Sequence, residues 1–142
     1  MRYRYLPIVL ILSVLAIVIY SGLGPFSVAV WKSNPLVISA KEARQQRFSF
    51  IFDMRTPIER EENGFYPNSI PISLETLQDE VPFLLGQKPS DHRVRSTPIL
   101  IYSNGSDDRA RQAAETLYDM GFIGVRYLSG SYIQMMPPGV SS

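Results

Sequence analysis

Hydrophobic residues are concentrated at the start of the chain. No residue between positions 5 and 31 is charged, and Leu6 to Tyr20 consists almost entirely of Leu, Ile and Val. About 20 consecutive apolar residues are enough to cross a bilayer as a helix. A core helix of a globular domain would show a polar face, and this run shows none. The pattern therefore predicts one transmembrane helix over about residues 6–23, within an N-terminal segment of residues 1–31.

The rest of the chain, residues 32–142, alternates short apolar runs with amphipathic segments. This alternation predicts one α/β domain with a mostly parallel, five-stranded sheet that helices cover on both faces. The predicted strands are 36–38, 48–53, 70–72, 98–102 and 125–128.

The helix signals are strongest at two capping boxes. Ser39 is followed three residues later by Glu42, and Thr56 is followed in the same way by Glu59. Leu, Val and Ala at helical spacing predict two more helices, over 74–84 with Pro82 bending or breaking it, and over 109–121. The polar residues 86–97 are predicted to form an exposed loop, and the tail from Met136 is predicted to fray.

The loop after the fourth predicted strand is the best candidate for a functional site. A strand, a tight loop and a helix N-terminus form an anion cradle, because backbone N–H groups converge there. Two residues that follow the second strand reach the same edge of a parallel sheet and would support the cleft. The predicted site residues are Ser103, Asn104, Gly105, Ser106, Asp107, Asp108 and Arg109 in the loop, with Asp53 and Arg55 beside it.

The side chains of this loop allow several roles. Ser103 as a nucleophile would need a base and an orienting group, yet the one histidine, His92, precedes the strand. A hydroxyl that hydrogen-bonds the loop's own backbone is therefore the favoured interpretation. Arg109 would hold an oxyanion or pair with Asp53 or Asp107.

The other charged residues of the edge are interpreted as structural. Asp107 and Asp108 are adjacent and are expected to act as helix caps and solvated charge. Arg55 is expected to pair with Glu59 or Asp53. Two carboxylates without further ligands make a poor cation site, so no metal is predicted. No cofactor is predicted either.

Four segments in order resemble the rhodanese-like family of sulfurtransferases. Residues 53–57, Asp-Met-Arg-Thr-Pro, resemble the family's Asp-Val-Arg-Thr-Pro, and residues 64–70 resemble its Gly-His-Ile-Pro-Gly-Ala-Ile. The loop and helix from residue 103 resemble its active-site loop, and residues 121–130 resemble its Gly-Phe…Val…Leu-x-Gly-Gly ending. The resemblance covers roughly residues 36–135 and implies a three-layer rhodanese-like fold.

The resemblance also implies that the family's chemistry is absent. The family's catalytic cysteine corresponds to Ser103, and the chain contains no cysteine. Sulfur transfer needs a thiolate that carries a persulfide, which a serine hydroxyl cannot hold. The resemblance therefore predicts an inactive sulfurtransferase relative.

Charge and composition narrow the choice of partners. The net charge is +1 and no basic stripe is visible, so nucleic-acid binding has no electrostatic support. The hypothesis is a membrane-anchored binding module whose cleft recognises a protein segment or a small anion. The alternatives are another kind of enzyme that uses the same loop, such as a weak hydrolase, and a structural membrane protein.

The charges that flank the apolar segment predict its orientation. Arg2 and Arg4 precede it, and Lys32 and Lys41 follow it. Because Lys and Arg close to the membrane favour the cytoplasmic side, the domain is expected on the extracytoplasmic side. The alternative is export after cleavage of a signal peptide near Ala29.

Overall fold

A computed structural model describes residues 35–86 and 91–139. Its elements, in chain order, are β1 (Val37–Ile38), α1 (Ala40–Arg44), β2 (Phe50–Asp53), α2 (Pro57–Asn63), β3 (Ile70–Pro71), α3 (Leu77–Leu84), α4 (His92–Arg95), β4 (Ile99–Tyr102), α5 (Arg109–Asp119), β5 (Val125–Leu128) and a 3-10 helix (Tyr132–Met135). Strands alternate with helices through most of this order, as the sequence pattern predicts.

The strands form one five-stranded sheet in the order β1-β5-β4-β2-β3, and every pair is parallel. This confirms the predicted α/β class and sheet. In the central pair, Phe50 lies opposite Ile99 and Asp53 opposite Tyr102. The carboxyl ends of β2 and β4 therefore lie side by side, which brings the segments that follow them together.

Alternate residues of β2 and β4 contribute to different cores. Phe52, Ile99 and Ile101 pack with apolar residues of α3 and α5 on one face. Leu100 and Tyr102 pack on the other face with residues of α1 and the 3-10 helix. The period of two along each strand thus builds a three-layer domain, as in other parallel sheets that are buried on both faces.

Local signals account well for the helix starts. Ser39 and Thr56 each accept a hydrogen bond from the backbone N–H of the Glu three residues later, and each Glu carboxylate returns to the cap N–H. Both predicted capping boxes are therefore present. Pro57 occupies the first turn of α2, where a missing N–H does little harm.

Three short features differ from the predictions. Helix α3 begins at Leu77 rather than 74, because the Ser73 hydroxyl accepts the Thr76 N–H and holds a turn. Within the stretch predicted as loop, Asp91 caps the one-turn helix α4, which buries only Val94. The 3-10 helix was not predicted, because four residues are too short to show a period.

Within the described parts of the chain, no helix is long and apolar enough to cross a membrane. The predicted membrane segment over residues 6–23 lies outside the described residues.

Candidate functional site

The carboxyl edge of the sheet brings together most of the predicted site. Asp53 ends β2, Ser103 directly follows β4, and Arg109 opens α5. Since β2 and β4 are parallel neighbours in register, these three residues and Arg55 lie along one edge. This is the part of an open α/β sheet where ligands commonly bind.

Asp53 is fully buried and is the centre of a polar network. Its carboxylate accepts from Arg55 Nε at 3.0 Å and Nη2 at 2.8 Å, from Arg60 Nη1 at 2.6 Å, and from the Tyr102 hydroxyl at 2.8 Å. The Arg55 guanidinium also stacks on Tyr132, 4.8 Å from the ring centre. Asp53 of β2 is therefore linked to β4 and α2 by hydrogen bonds, and to the 3-10 helix through the stacking of Arg55 on Tyr132.

The burial of this network sets its charge states. Burial alone would raise the pKa of Asp53, but hydrogen bonds from Arg55 and Tyr102 outweigh it and lower that pKa below its ordinary 3.8. Burial raises the pKa of Tyr102, so its hydroxyl stays protonated and donates. Asp53 has no exposed surface. It therefore stabilises the sheet edge from the interior of the domain and is not available to contact a ligand.

Ser103 is 2% exposed, and its hydroxyl donates to Asp107 Oδ2 at 3.0 Å. The expected bond to the loop's own backbone is therefore replaced by a bond to a side chain. His92 lies in α4, before β4, whereas Ser103 follows β4. The four-residue strand separates them by about 13 Å along the sheet, so His92 is not the base that a serine nucleophile needs.

The loop satisfies its own N–H groups with side-chain oxygens. Asn104 Oδ1 accepts from the backbone N–H of Ser106 at 2.9 Å and of Asp107 at 3.1 Å. Asp107 Oδ1 accepts from the Arg109 N–H at 3.1 Å. Three of the amides expected to cradle an anion are therefore already occupied. Asp107 acts at the helix start, as predicted, whereas Asp108 instead pairs with Arg111 at 3.0 Å.

Arg109 binds two carboxylates. Its Nε donates to Asp107 Oδ2 at 2.7 Å, and its Nη1 and Nη2 donate to Glu59 Oε2 and Oε1 at 2.9 and 2.8 Å. Of the two ion-pair partners expected for Arg109, Asp107 is present and Asp53 is not. Hydrogen bonds from Arg109 lower the pKa of Glu59 far below its ordinary value, and those to Glu59 raise the pKa of Arg109.

Glu59 also belongs to the site, although the sequence analysis considered it only as a capping residue and as a possible partner of Arg55. It is the capping-box residue of α2, accepts the Thr56 N–H at 2.6 Å, and also reaches Asn104 Nδ2 at 3.3 Å. Its capping role places it in the first turn of α2, which follows β2. The capping box therefore could have placed Glu59 near the same sheet edge as Asp53 and Arg55. Its pairing with Arg109, 50 residues away, has no local signature.

An open groove of about 430 Å³ lies beside this loop and is called the edge groove. Residues 54–57 form one wall, residues 71–76 form the other, and Glu80 and Arg109 complete it. Ser103 lines a separate cavity of about 130 Å³ between the loop and residues 127–130. Among the described residues, no group of His, Cys, Asp or Glu is arranged to hold a metal ion.

Comparisons with known proteins agree with this architecture. Residues 37–135 match the sequence profile of the rhodanese-like domain. Similar solved structures include a protein of unknown function from Rhodopseudomonas palustris described as a possible tyrosine phosphatase (23% identity, 73% of this chain and 81% of that one, TM-score 0.56). They also include the human single-domain sulfurtransferase TSTD1 (19%, 70% and 93%, TM-score 0.54) and the Alr3790 protein from Anabaena sp. (20%, 69% and 83%, TM-score 0.52).

At these identities the structural matches establish the fold only. A search among curated proteins found no significant match.

Proposed function

This chain belongs to the rhodanese-like domain family, and we propose that it is an inactive member that works as a membrane-anchored binding module. The observation that carries the proposal is Ser103, which replaces the nucleophilic cysteine that the resemblance assigns to this position. Its hydroxyl is buried and donates to Asp107. A hydroxyl held in this way has neither the acidity nor the polarisable sulfur that persulfide formation requires.

The charges around the loop argue against a small anion as the ligand. Asn104 and Asp107 already occupy three backbone N–H groups, and Arg109 is neutralised by Asp107 and Glu59. An incoming anion would have to displace these carboxylates and would be repelled by them. A protein segment is therefore the ligand that the geometry favours.

The edge groove fits such a segment. Its apolar walls include Ile72 and Leu74, and Glu75 and Glu80 add two carboxylates. Neither glutamate forms an ion pair in the described part of the chain, whereas Arg55 and Arg109 are both already paired. The charge available to a partner is therefore negative, which favours a segment with a Lys or Arg beside an apolar side chain.

The membrane part of the proposal rests on the apolar run over residues 6–23. We place the domain on the extracytoplasmic side, because Arg2 and Arg4 precede the run. An anchor of this kind confines the module to two dimensions and raises its effective concentration near membrane partners.

The chemical part is tested by transfer of sulfur from thiosulfate to cyanide, using the full chain in a nonionic detergent. We expect no turnover from the wild type. Ser103→Cys alone should gain little, because Asp107 and Glu59 repel thiosulfate. Ser103→Cys combined with Asp107→Asn should be more active, because one carboxylate is removed. Ser106→Cys places a thiol at the exposed loop tip and serves as the control. Turnover by the wild type would overturn the proposal.

The binding part is tested by crosslinking in native membranes. A photoreactive residue replaces Leu74 in the edge groove, and the matched control replaces Ile123, an exposed apolar residue outside the groove. We expect a reproducible adduct only from position 74, and its loss when Glu80→Lys is added. Equal labelling from both positions would contradict a specific groove ligand.

A further inference from the structure

One face of the central strands lacks a complete cover. Strand β2 pairs with β4 on one side and β3 on the other, so it is an interior strand of a parallel sheet. Such strands are normally buried on both faces. Ile51 of β2 is only half-buried, and so are Phe48 and Tyr66, which pack against the same core. Three large apolar side chains therefore remain partly exposed on one patch.

This patch is the floor of a groove of about 620 Å³, which we call the α1 groove. It lies between α1 with the residues after it and the tail that follows the 3-10 helix. Its lining includes Arg44, Gln46, Arg47, Phe48, Ile51 and Pro138. None of these residues belongs to the loop or to the edge groove.

The rim of the α1 groove is basic and uncompensated. Arg44 and Arg47 are exposed, no acidic residue lines the groove, and neither arginine forms an ion pair in the described part of the chain. The segments outside the described residues, 1–34, 87–90 and 140–142, contain no Asp or Glu. Among the described residues no carboxylate compensates this rim, so the groove is open to a partner that supplies negative charge.

We propose that the α1 groove binds an acidic segment of a partner protein, which places an apolar side chain on the Phe48–Ile51 floor. The two arginines supply the charge complementarity, and the apolar floor supplies burial. A concave groove suits an inserted side chain better than the flat surface of a bilayer. The edge groove presents Glu75 and Glu80, which form no ion pair in the described part of the chain, so the two surfaces select partners of opposite charge. The α1 groove can bind its partner whether or not the edge groove has a ligand.

The first measurement is fluorescence anisotropy with two labelled peptides and the full chain in a nonionic detergent at physiological ionic strength. The acidic probe is Ser-Glu-Asp-Phe-Asp-Glu-Ser, and the matched neutral probe is Ser-Gln-Asn-Phe-Asn-Gln-Ser, because a basic peptide would be attracted to the edge groove. We expect the acidic probe to bind at least about tenfold more tightly than the neutral one. Equal affinity, or no binding of the acidic probe, would overturn the proposal.

Three variants then locate the binding. Arg44→Glu and Arg47→Glu should each weaken the acidic probe about tenfold. Gln46→Trp, which fills the groove mouth without changing its charge, should weaken it as well. Arg93→Glu makes the same charge change at an exposed position in α4 and should have little effect.

Other occupants give different results. If Arg44→Glu and Arg47→Glu leave peptide binding unchanged but abolish binding to phosphatidylserine vesicles, the groove is a membrane-binding surface and the proposal fails. If they instead abolish self-association in sedimentation, a second copy is the occupant and the proposal fails as well. If Gln46→Trp does not weaken binding of the acidic probe, the peptide is held by charge attraction alone and does not enter the groove. That result also overturns the proposal.

Discussion

A substitution of Asp53 is expected to destabilise the protein strongly, because this carboxylate neutralises two arginines in the interior. Removing one partner of a buried ion pair leaves an uncompensated charge and destabilises a protein by about 3–5 kcal/mol. Asp53→Asn retains the shape but loses the charge that Arg55 and Arg60 require. We expect the free energy of unfolding in urea at pH 7 to fall by about 3 kcal/mol.

The same residue makes stability depend on pH. Its pKa is lowered in the folded state, so its contribution is present above its ordinary value of 3.8 and is lost as the pH falls below it. The difference between wild type and Asp53→Asn should therefore stay constant from pH 7 to about pH 5 and narrow as the pH falls further, toward about pH 3. Asp119→Asn, at an exposed position, is the control. An unchanged difference at acidic pH would show that the network is not held by this charge.

At this scale, sequence reasoning succeeds where partners are close in the chain. Asp53 with Arg55, and Asp107 with Arg109, are pairs separated by two residues, so the sequence alone makes both candidate ion pairs. Glu59 with Arg109 depends on two helices meeting at one sheet edge. No spacing in the sequence indicates that contact. The Glu59–Arg109 pair, which joins α2 to the start of α5, therefore could not be predicted.

Among the elements, the loop after β4 depends on close approach to the segment after β5. Gly105 has φ +88°, and a Cβ added there would lie 2.8 Å from the Gly130 carbonyl carbon and 3.0 Å from the Ser131 nitrogen. Gly105→Ala therefore combines left-handed backbone strain with a clash against backbone. We expect a loss of about 2–4 kcal/mol, measured by urea unfolding.

Gly86 provides a matched control for this effect. It has φ +68°, but an added Cβ meets nothing within 4 Å. Gly86→Ala should therefore show the backbone strain alone, about 1–2 kcal/mol. Equal losses at the two glycines would mean that the loop moves away from residues 130–131 without penalty.

The elements also show which signals a sequence carries. Capping boxes and long apolar runs are local signals. They predicted the starts of α1 and α2 and the β4–α5 unit. Helix α4 was not predicted, because it has one buried residue, Val94, among polar neighbours and therefore shows no hydrophobic period. The order of strands in the sheet follows from packing between distant segments, so the hydropathy pattern does not predict it.

For the molecule as a whole, the arrangement separates two kinds of surface. The loop after β4, where the family's chemistry would occur, has its N–H groups and Arg109 occupied by its own side chains and by Glu59, whereas the α1 groove presents two arginines without an ion pair in the described part of the chain. A domain of this size retains its fold through apolar cores on both faces of the sheet, which do not depend on a nucleophile. Loss of the cysteine is therefore compatible with an intact scaffold for binding.

The charges on either side of the apolar run predict how the protein is oriented in the membrane. Arg2 and Arg4 on one side oppose Lys32 and Lys41 on the other, so the bias is small. In membrane vesicles of known sidedness, protease added on the cytoplasmic side should leave the wild-type domain intact. Arg2→Ser with Arg4→Ser should make a substantial fraction of the domain accessible, because the remaining lysines then favour the cytoplasmic side.

Arg93→Ser with Arg95→Ser removes the same charge from a part of the chain too distant to affect insertion, and should leave protection unchanged. A shorter product released from the membrane would instead show cleavage near Ala29, in which case the module acts free of its anchor. Full accessibility of the wild type would place the domain in the cytoplasm. Its partners would then have to be cytoplasmic, since a domain of this size does not cross the bilayer on its own.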